Sequence, residues 1–424
     1  MKANGAGSLR QIKMYWPLVL ILMMAIIVSF IIIYTKVSSP PLFVYYFGQT
    51  NTLGNSSNGP FSPQIATSGN DTYIVWSNKD PGKGDINMEK ISSNNGRPAI
   101  AVTISNNSGN STIPKVAVSG DNLYVVWSDS NSTKGGNADI FFSSSRDKGS
   151  SFDEPINLSN NNGNSTIPNV AVSGDNVYAV WSDNDRTKGG NQDIFFSSSR
   201  DKGSSFGEPI NLSKNNPNST DPEVAASVDN VYVVWADGTS KETVDNVNLI
   251  LKTSADNGTH FTDKETIKKD IDKKTHLPQI AASGDNVYVV VADKDPKQGQ
   301  PDNYRVILKT STDNGTDFTN RKSINKDIDK KTHLPQIAAS GENVYVVWSD
   351  NNGTRGGNQD IFFSSSRDKG RSFDDPINLS NDKANSIKPK VSASGNNIYV
   401  LWSDYSSQSE EVKYKHINLV LLGS

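Results

Sequence analysis

The stretch PNVAVSGDNVYAVWSD, residues 168–183, decides the fold. Val170 to Ser173 reads as one strand, Gly174 to Asn176 as a tight turn, and Val177 to Ser182 as a second strand, which together make a β-hairpin. The second strand is apolar on both faces, so both need covering by neighbouring sheets. The same line recurs with its leading proline at Pro63, Pro114, Pro168, Pro222, Pro278, Pro335 and Pro389, in steps of 51 to 57 residues. Seven units of that period, each with a doubly apolar strand, are buried when sheets stack radially around an axis. Trp76, Trp127, Trp181, Trp235, Trp348 and Trp402 hold one register, with Val291 in the fifth unit. Because they follow the repeat, they are expected to pack blade against blade rather than to stack on a ligand.

Outward from the hairpin come a loop, a third strand such as Asp193 to Ser198, a tight turn and a fourth strand such as Pro209 to Ser213. Four antiparallel strands make a propeller blade. The last unit has a third strand, Val412 to Val420, with little chain beyond it, whereas Phe43 to Gly48 is strand-like and precedes the first hairpin. The N-terminal strand is therefore expected to complete blade seven and remove the open sheet edges. The expected class is all-β: a seven-bladed β-propeller of four-stranded antiparallel blades, preceded by one N-terminal transmembrane helix. Six blades and a stray hairpin is the alternative. Units two, three and six share DIFFSSSRDKG, and four and five share DIDKKTHLPQIAAS.

Between the short Val, Ile and Tyr runs the chain is crowded with Gly, Asn, Ser and Asp, and no long helical periodicity follows residue 36. With no cysteine, disulfides, thiolate metal sites and cysteine nucleophiles are excluded. The net charge is −3, and the first 36 residues hold four cations and no acid, so the body is the more acidic part and a nucleic-acid partner is not expected. No dinucleotide or phosphate-loop fingerprint stands in a fitting context, so no nucleotide cofactor is expected. PLVLILMMAIIVSFIIIY, from Pro17 to Tyr34, is uncharged and close to the ~20 residues that cross a bilayer. Three cations precede it and one follows, which places the N-terminus in the cytoplasm and the remainder outside. The reading divides the chain into a cytoplasmic 1–14, a signal-anchor helix 15–36, a linker with ring-closing strand 37–60 and an extracellular propeller 61–424. A cleaved signal peptide is the rival, although Thr35 to Ser39 lacks a clear small-x-small site. Sequons, among them Asn110, Asn164, Asn218, Asn257 and Asn314, fit an exterior location and a glycoprotein.

The turn after the third strand carries S-x-D-x-G-x-x-F five times. Its Asp, Gly and Phe stand at Asp147, Gly149 and Phe152; Asp201, Gly203 and Phe206; Asp256, Gly258 and Phe261; Asp313, Gly315 and Phe318; and Asp368, Gly370 and Phe373. The Asp can accept backbone N–H groups within the turn, the Gly permits positive φ, and the aromatic packs beneath. This pattern resembles the Asp box of the sialidase-like, or BNR-repeat, β-propellers, over about residues 60 to 405. In that family the boxes are structural and face away from the active site. The resemblance implies an exo-glycosidase with three arginines for a substrate carboxylate, a tyrosine nucleophile with a glutamate, and an aspartate acid/base. Such residues must break the repeat, which leaves Arg97, Arg305 and Arg321 as catalytic candidates. The chain departs from the family ahead of the first blade, where Phe61, Ser62 and Pro63 stand without an arginine.

The opposite, upper face carries the loops after the second strands. Three of them share D-x-[ND]-x-T-x-G-G-N-x-D, which contributes Asp129, Asp139, Asp183, Asp193, Asp350 and Asp360, and Asp237, Asp293 and Asp404 extend the first position round the ring. These nine are the candidate ligand-binding residues. Asp129 with Asn131, Asp183 with Asp185, and Asp350 with Asn352 offer oxygens at alternate positions for Ca²⁺, against the alternative that they close Asx-turns on their own backbone. The sequence leads to a membrane-anchored, cell-surface binding or adhesion scaffold for glycan or protein ligands, with the sialidase-like glycoside hydrolase as its alternative.

Overall fold

The computed structural model describes residues 42–53, 60–78, 84–92, 101–105, 109–130, 137–184, 191–214, 218–238, 248–263, 265–267, 276–294, 304–319, 322–325, 333–351, 358–405 and 410–422. The expected helix over 15–36 lies outside them; among the described residues no helix is long and apolar enough to cross a membrane. The chain divides into two compact units, Met1–Tyr46 with Leu419–Ser424, and Phe47–Asn418. In the first, the described residues are the extended strand ends Leu42–Tyr46 and Leu419–Leu422.

The second unit holds a β-propeller with seven blades, and the six-blade alternative is set aside. Seven four-stranded antiparallel sheets follow one another; in six of them strand order matches chain order, and in the seventh Leu42–Thr52 stands beside Glu410–Leu422. Blade three is typical, with Asn164–Ser173, Asn176–Asn184, Asp193–Ser199 and Ile210–Asn211. The fourth strand is shorter than expected, two residues, and it begins immediately after Pro209, which has no N–H to give to a ladder. The first strand is longer than expected. It begins upstream of the proline, and its pairing slips by a β-bulge between Thr166 and Asn169, a slip found at the same place in every blade.

Each second strand is buried along its middle, and Trp76, Trp127, Trp181, Trp235 and Trp348 wedge into the preceding blade. Trp181 packs with Tyr124, Val126, Ile140 and Phe142 of blade two, and Trp235 with Tyr178, Val180 and Phe196 of blade three. Within its own blade Trp181 stacks on Phe195 at 6.2 Å, its register partner. Truncating such a ring to alanine costs about 3–5 kcal/mol, so these wedges dominate the blade interfaces. The ring closes in the same way, with Trp76 of blade one against Leu401, Val412 and Tyr414 of blade seven. The Gly69 amide donates to Ser394 Oγ at 2.9 Å across that seam.

Each complete Asp-box turn also bridges two blades. Asp201 Oδ1 accepts the Ser205 amide at 2.9 Å and the Ser199 hydroxyl at 2.7 Å. Hydrogen bonds led by the Ser205 hydroxyl hold its carboxyl at about 2. Gly203 sits at φ +80°, and a Cβ there would lie 2.5 Å from Phe142 Cζ of blade two, so glycine is required by conformation and by close approach together. Phe206 meets the same Phe142 edge-on at 4.7 Å.

Candidate functional site

The bulge in every first strand aims side chains at the propeller axis. The residue before the repeat proline has φ between +50° and +55° at Ser62, Ile113, Ile167, Asp221, Leu334 and Lys388. For a β-branched residue such as Ile113 or Ile167 the left-handed region costs roughly 1–2 kcal/mol, and tertiary structure holds it there. These residues and those just after the prolines close round a pocket of ≈ 220 Å³, roughly midway along the first strands.

The residues just after the prolines form a ring, one per blade: Gln64, Lys115, Asn169, Glu223, Gln279, Gln336 and Lys390. Glu223 is its hub. It pairs with Lys115 at 3.2 Å, accepts Gln279 Nε2 at 2.9 Å and also accepts Asn169 Nδ2. Across the ring Lys390 Nζ donates to Gln336 Oε1 at 3.2 Å, and among the described residues no carboxylate forms an ion pair with it. Burial, reinforced by the Lys115 charge and opposed by Glu223, pushes the Lys390 ammonium down to about 7. Burial likewise pushes the Asp221 carboxyl up. The pocket therefore offers amide donors and acceptors, a paired Lys115 and Glu223, the Asp221 carboxyl and a desolvated amine in no direct ion pair among the described residues, framed by the apolar Ile113, Ile167, Leu277 and Leu334.

None of the nine expected aspartates lines this pocket. They lie buried at the bases of the loops, 0 to 7% exposed. Asp129, Asp183 and Asp350 face Asp139, Asp193 and Asp360 across the second and third strands. Like charges so placed would repel, and most of them are held by donors from elsewhere in their blade. Asp129 Oδ2 accepts Ser111 Oγ at 2.6 Å, Asp183 accepts Ser165 at 2.9 Å and Asp237 accepts Ser219 at 3.2 Å. Asp139, Asp193 and Asp360 accept the amides of Asn157, Asn211 and Asn378 at 2.8 to 2.9 Å. Asp404 accepts Trp402 Nε1 at 2.9 Å. Asp293, wholly buried, stands in register opposite Arg305. Of the expected Ca²⁺ donors, Asn131, Asp185 and Asn352 lie outside the described residues, and among the described residues no group of three His, Asp or Glu is placed to hold a metal.

Of the arginine candidates, Arg97 and Arg321 lie outside the described residues, and Arg305 is half-buried on the third strand of blade five, away from the axial pocket. The seven repeat tyrosines are buried in the second strands, and burial pushes Tyr124 and Tyr178 up to about 12, the reverse of what a nucleophilic phenolate needs. Sequence reasoning missed Glu89, buried on the third strand of blade one, whose carboxyl burial raises to about 7. It also missed the axial ring, whose signal was the x of P-x-V-A: that position reads Gln, Lys, Asn, Glu, Gln, Gln, Lys while its neighbours stay nearly constant.

The fold defines the class, a seven-bladed β-propeller, and solved structures resemble it in fold. The polysaccharide lyase Uly1 superposes with a TM-score of 0.55 at 9% identity, covering 87% of this chain and 92% of that one. A PL25 ulvan lyase bound to -[GlcA(1-4)Rha3S]- gives 0.56 at 12%, covering 86% and 94%. The endosialidase of phage phi92 gives 0.51 at 10%, covering 89% and 70%. At such identities the likeness is one of fold. No family model matches the chain, and no curated protein matches it.

Proposed function

We propose that this is a glycan-binding propeller that takes one sugar residue, acidic by preference, into the axial pocket, and that it is displayed on the cell surface by residues 15–36. The observation that carries the reading is the ring itself. In blades that otherwise repeat closely, the seven positions after the proline diverge into amides, two lysines and one glutamate; six of them line the pocket and the seventh, Asn169, reaches it through Glu223. The pocket volume lies below the ~300–1,000 Å³ of sites for drug-sized ligands, which suits a single ring or chain end. The amides match sugar hydroxyls, and Lys390 lacks the counter-charge that a sugar carboxylate supplies. That several fold relatives process polysaccharides or sialosides fits a glycan ligand.

The test is calorimetric titration of the full chain with glucuronate, glucose, a sialoside and their oligomers, beside Lys390→Met. Acidic sugars should bind with proton uptake near neutral pH, because a carboxylate beside Lys390 restores its proton, and Lys390→Met should lose both binding and uptake. Equal binding by the variant would refute the assignment. Turnover of the sialoside, lost in Arg305→Ala, would replace it with the sialidase-like hydrolase.

A further inference from the structure

The Asp-box face carries a second feature, in the clefts where the third and fourth strands of one blade meet the Asp-box turn of the next. Between blades two and three the cleft, ≈ 340 Å³, is electrostatically closed. Arg146 donates to Asp153 at 2.9 Å and to Ser204 Oγ at 2.9 Å, Glu154 adds a further carboxylate, and Ile156 lines the wall.

The equivalent cleft between blades five and six, ≈ 310 Å³, has the same walls with other residues. Thr312 stands for Arg146, Thr319 for Asp153, Lys322 for Ile156 and Arg371 for Ser204, while Lys369 repeats Lys202. The exchange removes the acid and the arginine that it neutralised, and adds two cations. No carboxylate lines the cleft. Lys369 leans on Glu342 at 3.5 Å, and neither Lys322 nor Arg371 forms an ion pair among the described residues. Arg371 is also the position at which DIFFSSSRDKG, shared by three blades, is followed by arginine instead of serine. A purely structural turn gains nothing from that arginine, since blades two and three build the same turn on Ser150 and Ser204.

We infer that the cleft between blades five and six binds a tetrahedral oxyanion ester, a sulfate or phosphate group carried on a polyanionic glycan, at Lys322, Lys369 and Arg371. The guanidinium supplies a planar fork for two oxyanion oxygens, and the ammonium groups act as point charges beside it. Thr310 and Thr312 offer hydroxyls on the same wall. The geometry is non-covalent and needs no partner from the axial pocket, which opens from a different part of the ring.

The experiment measures binding of dextran sulfate, dextran phosphate and unmodified dextran to the full chain at several salt concentrations, for the wild type, Arg371→Ser and the double variant Lys322→Gln with Arg371→Ser. Serine is what this position holds in blades two and three, so the fold tolerates it, and an unchanged melting temperature verifies this. At least one charged polymer should bind and dextran should not, with affinity falling as salt rises. Loss of two charge-assisted contacts should weaken binding by at least about tenfold. The sulfate and phosphate arms identify which ester is preferred. Undiminished binding by the double variant, or no binding of either charged polymer, overturns the inference.

Discussion

Val228 offers the cleanest test of how the blades are held. Six of the seven hairpin turns place a glycine at the first turn position, Gly69, Gly120, Gly174, Gly284, Gly341 and Gly395, with φ from +57° to +61°. Blade four has Val228 there at φ +56°, and it is 66% exposed. A Cβ at any of the six glycines would meet nothing within 4 Å, so the cost of a side chain at this position is set by the backbone alone. The left-handed region penalises a side chain by roughly 1–2 kcal/mol. Glycine returns about 0.5–1 kcal/mol of that through the freedom it adds to the unfolded chain. Val228→Gly should therefore stabilise the propeller by about 0.5–1 kcal/mol, raising Tm by roughly 1–3 °C, and Gly174→Val should destabilise it by a similar amount. Chemical unfolding of both variants beside the wild type measures this. If Val228→Gly is neutral or destabilising, the valine side chain contributes contacts of its own, and the argument from local backbone strain fails.

Glu89→Gln should change the pH profile of stability. The native carboxyl titrates at about 7 against 4.5 unfolded, so the native state holds its proton more tightly and wild-type stability falls as pH rises from 4.5 to 7. The variant should lack that fall and exceed the wild type at pH 8 by up to about 3 kcal/mol, read from urea midpoints at pH 4.5 and 8. Lys390→Met should act in the opposite window: with the native amine lowered to about 7 from 10.5, wild-type stability rises with pH between those values, and the variant should stay flat there and be the more stable below pH 7. Asp147 is held at about 2, first by the Ser151 hydroxyl, so its contribution is present above pH 4 and lost as pH falls through 2. Asp147→Asn should melt earlier than the wild type at pH 7 and converge with it near pH 2.

The blades were legible because their signals are local and redundant. Val177 to Ser182 is apolar on both faces, the Gly174–Asn176 turn has suitable residues, and Trp181 and its counterparts keep register, so count, order and wedge follow from spacing. The aspartates read as an open rim because Asp129 and Asp183 sit in polar loops. Their hydroxyl partners, Ser111 and Ser165, stand 18 residues earlier, where no local pattern links the two. The axial bulge was hidden for a related reason: positive φ at Ile113 and Ile167 contradicts their intrinsic preference and is imposed by packing round the ring.

Repetition and recognition place opposite demands on the ring positions. Seven copies of one lysine would confront like charges in a small, partly desolvated space, and seven copies of one glutamine would bring amides without charge selectivity. The observed succession resolves this with a single acid. Glu223 pairs with Lys115 and gathers Asn169 and Gln279, which leaves Lys390 bonded to Gln336 and in direct contact with no carboxylate among the described residues. The pocket thereby acquires a direction that a symmetric ring cannot have. If direction is what the divergence provides, then Glu223→Gln, which releases Lys115, should broaden the range of anions bound in the axial pocket, whereas Gln336→Glu, which supplies Lys390 with a directly bonded counter-ion, should abolish anion binding in that pocket while raising the Lys390 pKa back towards 10.5.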